Sequence, residues 1–161
     1  MTLAATLYEY VLGVHIIAIV LAFGWTFALP FMFALAVKQD PRSIPLLHRI
    51  EVRVSRLLLN PALVLILAAG IYLASDGHLW KEFFVQWGLA AVVVIGGVVG
   101  AVMIPTAERS AELAEADLQS YTGGEFTPGE AYRAQARRLT IAGSGLWLLV
   151  LATIVIMAVK P

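Results

Sequence analysis

His15 is the one ionisable side chain that sits well inside a long apolar stretch of this chain. A titratable group is costly in hydrocarbon, so such a residue is a functional-site candidate by default. On a helix, Tyr8, His15, Ala18, Ala22 and Trp25 fall along one stripe. Two alanines below an imidazole leave room beside the helix for a flat ligand, and a neutral imidazole is a good axial ligand for haem iron. The spacing marks His15 as a candidate haem ligand, with Ala18 and Ala22 walling the cleft. A histidine that only hydrogen-bonds a neighbouring helix, or reaches to the interface, fits the same spacing.

Gln86 and Tyr72 lie at about the depth of His15 in other apolar stretches, and His78 lies in a short loop between them. Together they would complete a polar cluster, with Glu9 or Tyr8 orienting the imidazole and His78 or Met157 as a second axial ligand. His48 falls in a charged loop at the opposite end, cannot share a site with His15, and is given no role. Gly96, Gly97, Gly100 and Ala101 form a small-residue stripe, read as close helix packing or as a homodimer seam. Gly143, Ser144 and Gly145 are read as packing in the last stretch. The absence of cysteine excludes disulfides and thiolate metal sites. Motifs for hydrolysis and phosphoryl transfer are missing.

Four apolar stretches must position these residues. The chain has 161 residues, of which 60% are hydrophobic and 14% charged. This composition predicts an all-α polytopic membrane protein: a four-helix transmembrane bundle with an amphipathic cytoplasmic helical loop, as one domain over 1–161. The spans run at about 11–37, 57–74, 83–104 and 139–159. Each reaches or approaches the roughly 20 residues that cross a bilayer. Pro30 should kink the first. Loops 38–56 and 105–138 carry nine Lys and Arg, against two (Lys81 and Lys160) on the other side. The asymmetry places both termini outside and the two larger loops in the cytoplasm. The N-terminal Met1 to Tyr10 lacks Lys and Arg, so no cleaved signal is expected. Zero net charge leaves no nucleic-acid footprint.

The loops also show order. Asp40, Pro41 and Pro45 mark a tight connection, and Leu46 to Arg56 carries charges on a helical period that lead into span two at Asn60-Pro61. Glu108 to Leu118 reads as a helix extending span three, stopped at Gly123-Gly124. Thr127, Pro128 and Glu130 read as a capping box that starts a helix running into span four. Trp80 and Trp87 suit an interfacial belt.

Three segments carry a family resemblance: YVLGVHIIAIVLAFGWTFALP over 10–30, NPALVLILAAGIYL over 60–73, and the terminal IVIMAVKP. They resemble the superfamily that joins HemJ-type protoporphyrinogen oxidases, CopD-type copper-resistance membrane proteins and a family of small integral membrane proteins of unknown function. The last is the nearest in kind. The resemblance implies haem b held by a histidine of the first span, which maps onto His15. It also implies a lysine near the start of the third span, where this chain has Gln86 by register and Lys81 earlier. Phe31, Met32 and Phe33 replace the basic residue and histidine that follow the Leu-Pro of span one in the oxidases.

Two readings follow. In one, the protein binds haem b in a redox role in the bacterial cytoplasmic (inner) membrane, with a quinone as electron partner. In the other, it is a non-enzymatic small transporter, metal-handling or structural protein in the lipid bilayer, without cofactor.

Overall fold

The structure, a computed structural model, describes residues 6–123 and 126–160. Helix α1, Leu7–Gln39, opens on a capping box in which the Thr6 hydroxyl accepts from the Glu9 amide and the Glu9 carboxylate accepts from the Thr6 amide. Glu9 is thus spent on the helix end and does not orient His15. Asp40 caps a short 3-10 turn, its side chain accepting from the Arg42 amide at 2.9 Å. Helices α2, Ile44–Val54, and α3, Asn60–Asp76, follow as one continuous rod. Helices α4, Phe83–Val98, and α5, Ile104–Gln119, form a second rod, and α6, Glu130–Val159, closes the bundle.

Each rod is joined by a π-turn, at Ser55–Leu59 and at Val99–Met103. The cause lies in Pro61 and Pro105, which stand two residues past the turns. A helical proline removes one amide donor and crowds the carbonyl four residues back. The helix responds by widening: the Asn60 amide bonds the Ser55 carbonyl and the Ile104 amide bonds that of Val99. Asn60-Pro61 is therefore a mid-rod widening rather than a helix start.

Four helical rods are long and apolar enough to cross a membrane, and the described residues hold no strand. The protein is an all-α, multi-pass integral membrane protein. Helix α1 packs on α3, α4 on both α3 and α6, and α5 on α6; beyond the spans α2 packs along α5. The central core joins Ala18 and Ala22 to Leu63, Ile66, Val92 and Val150. The Trp87 indole donates to the Thr153 hydroxyl at 3.1 Å, so it ties α4 to α6 rather than lying in a belt. Trp80, 45% exposed, sits at the rim.

The loop before α6 departs from expectation. Gly129, not Thr127, is the N-cap, and no side chain caps the helix there. The Gly129 amide instead donates to Asp117 Oδ2 of α5 at 2.8 Å. A Cβ on Gly129 would lie 2.9 Å from Asp117 Oδ1, so a larger residue there would push the carboxylate aside. Gly123 takes a left-handed φ of 126° in the break after α5, while Gly124 lies outside the described residues.

Candidate functional site

One face of α2 points inward along Ile44, His48, Glu51 and Ser55, all buried. Their spacing of four, three and four residues keeps them on one side of a helix. Two of the four are titratable. His48 is 3% exposed and Glu51 6%. Glu51 Oε2 lies 3.0 Å from His48 Nδ1, and the Tyr132 hydroxyl of α6 lies 3.2 Å from His48 Nε2. In the neutral ring one assignment of protons satisfies both contacts: Nδ1–H donates to Glu51, and the Tyr132 O–H donates to Nε2. Phe33 of α1 covers the imidazole, with ring centroids 4.7 Å apart.

These three polar residues face into a cavity of about 500 Å³. Its walls are α1 at Thr26, Leu29, Pro30 and Phe33, and α6 from Tyr132 to Trp147, with Met103 of the second π-turn. The lining is largely apolar and includes no Lys or Arg. The wall is built by a proline. Pro30 has no amide to give the Thr26 carbonyl, four residues back. The Trp147 indole N–H of α6 supplies that bond at 3.2 Å, and its ring meets Phe27 edge-on at 4.8 Å. Trp147 thus pins α6 to α1 at one end of the cavity, while the His48–Tyr132 bond joins α2 to α6 at the other.

The His15 site is built differently. The ring lies against α3, where it engages the Ile66 backbone and sits 3.4 Å from the place a Gly70 Cβ would occupy. It faces the bundle, as a polar ring in a span must. Its Nδ1 is buried without a partner. The expected neighbours do not gather round it. Gln86 is exposed and donates to the Trp80 carbonyl at 3.2 Å. Tyr72 is half-buried and forms no hydrogen bond with His15. His78 is exposed, in a left-handed conformation roughly two turns beyond Gly70. Met157 packs its Sδ and Cε over Gly88.

Haem can be tested against this packing. A porphyrin on the Ala18–Ala22 face needs an open slot beside the imidazole. Ala18 is 1% and Ala22 0% exposed, closed off within the core that includes Leu63 and Ile66. The residues present do not fit a haem with α1 and α3 packed in this way. Among the described residues there is also no group of three or more His, Asp or Glu side chains that could hold a metal ion.

Residues 9–161 match the model of one family, described as "Predicted integral membrane protein (DUF2269)". The chain belongs to that family. No curated protein and no solved structure matches the chain. The DUF2269 match covers all four spans and both sites. It therefore extends over His48, Glu51 and Tyr132, which counting loop charges does not bring out. The signal for them was available in part: the stripe Ile44, His48, Glu51, Ser55 sets three polar residues in a row on one helical face. His48 and Tyr132 are 84 residues apart in sequence, and nothing in the chain announces that pairing. Gly143 and Ser144 line the cavity as well as packing the bundle.

Proposed function

We propose that this DUF2269 protein is a non-enzymatic membrane protein of the small-transporter kind, binding a small amphipathic molecule in the cavity between α1 and α6. The observation that carries the reading is a buried His48–Glu51–Tyr132 chain at the base of a mostly apolar cavity. Small-molecule sites combine apolar walls with a few convergent polar groups. On the positive-inside rule the end holding α2 and α5 faces the cytoplasm of a bacterial inner membrane, with both termini outside. The molecule then enters from the cytoplasmic half. Mass spectrometry of small molecules extracted from purified protein tests this. Wild type should retain a species that Ser144→Phe, which fills the cavity, does not. The same extract from both would overturn the reading.

A second reading, haem b at His15 with a quinone partner, rests on the unpartnered His15 Nδ1. It requires α1 to part from α3. An absorption spectrum after expression with haem supply tests it: a Soret band lost in His15→Ala would establish it.

A further inference from the structure

Resting on the binding reading above, we propose that the ligand of the α1–α6 cavity is a lipophilic organic cation, held by Glu51 and the aromatic rings around it. Charge selects the sign. Glu51 is the one carboxylate lining the cavity, and no Lys or Arg lines it. Among the described residues its only ion-pair partner is His48. With His48 neutral, the trio carries one negative charge in a setting where an unbalanced buried charge is unfavourable. An anion has nothing to bind there. A cation has a carboxylate.

The walls select the body. Thr26 and Thr140 line the cavity, but their hydroxyls donate to the carbonyls of Ala22 and Ala136 in their own helices. Beyond the Ser144 and Tyr132 hydroxyls little polarity is left to solvate an inorganic ion, and among the described residues no third acidic or histidine ligand stands by to coordinate one. Phe33, Tyr132 and Trp147 present aromatic rings to the cavity. Ring faces attract organic cations, more so when water is excluded. The volume of about 500 Å³ admits a molecule of several rings.

The basic groups nearby do not balance the Glu51 charge. From α6 the facing titratable group is Tyr132, and α1 presents Phe33. Arg49 of α2 and Arg56 of the first π-turn pair with Glu115 and Glu108 of α5, and with Arg53 and Glu112 they line a separate groove that excludes His48 and Glu51. Arg109 pairs with Glu112.

Equilibrium dialysis of the full-length protein in detergent against tetraphenylphosphonium and tetraphenylborate, ions of like size and shape but opposite charge, tests the proposal. Uptake by Ser144→Phe is subtracted from each. The cation should bind and the anion should not. Glu51→Gln should weaken the cation about tenfold or more, while Glu51→Asp, which keeps the charge, should retain most of the binding. Gel filtration and helical content confirm that each variant is folded. Equal binding of both ions, or a cation indifferent to Glu51→Gln, would overturn the charge assignment and leave the cavity as a ligand site. If neither ion binds above the Ser144→Phe level and that variant also retains the same extracted molecules as wild type, both readings fall.

Discussion

Replacing Trp147 by Phe should cost more when residue 30 is proline than when it is alanine. Pro30 leaves the Thr26 carbonyl without its helical donor, and Trp147 supplies the missing N–H at 3.2 Å from a helix 121 residues away in sequence. Phenylalanine keeps an aromatic ring near Phe27 but removes that donor. Interhelical hydrogen bonds in membranes average about 0.6 kcal/mol and reach about 1.7. The acceptor here lacks its own helical donor, so the upper part of that range applies. Lost contact area adds about 1 kcal/mol. Trp147→Phe should therefore destabilise the protein by about 2–3 kcal/mol. Pro30→Ala restores an amide four residues beyond Thr26 and lets α1 satisfy its own carbonyl. In that background the same tryptophan substitution should cost about 1 kcal/mol less. The assay is SDS-driven unfolding from dodecylmaltoside micelles, followed by near-UV circular dichroism for all four corners of the cycle. A cost for Trp147→Phe that does not change with residue 30 would refute the reasoning, because the two sites would then be independent.

Other expectations follow from single contacts. His48→Ala should cost about 3–5 kcal/mol, because it leaves Glu51 buried without its partner, and a second substitution, Glu51→Leu, should recover more than half of that in the same unfolding assay. A Cβ at position 88 would meet only Met157 Cε and Sδ, the flexible end of a side chain that can swing aside, so Gly88→Ala should lower stability by less than about 1 kcal/mol on thermal unfolding. The pair Arg49–Glu115 is solvent-exposed on both sides, so Arg49→Ala should change stability by less than about 1 kcal/mol, with any effect shrinking in high salt.

Hydropathy and charge made the membrane part of this protein legible. Apolar runs of sufficient length form the four spans, and the Ala- and Glu-rich run after span three forms α5 because its propensity and its packing against α2 agree. The cavity and its polar trio were not legible, for three physical reasons. His48 and Glu51 stand among arginines, and their helix turns the arginines outward and these two inward. That rotation depends on what α2 packs against. Tyr132 stands in the first turn of α6, whose cap is Gly129 rather than Thr127 and whose Gly129 amide is taken by Asp117 of α5. The closing of the Ala18–Ala22 face was hidden for the converse reason. Small residues make room beside a helix, and another helix can take that room as readily as a cofactor. Here α3 takes it, with Gly70 admitting the His15 ring.

The claim on which the account turns is that the α1–α6 cavity is a reachable polar site within the membrane. The chain has no cysteine, so a single Ser144→Cys is a unique reporter on the cavity wall. Val93→Cys, 63% exposed on α4 and outside the cavity lining, is its control. In native membranes a permeant maleimide should label Cys at 144 and leave Cys at 93 largely unmodified, because the thiolate that reacts forms only where water and polar groups reach it. Equal labelling at both positions, or labelling at neither, would contradict the account.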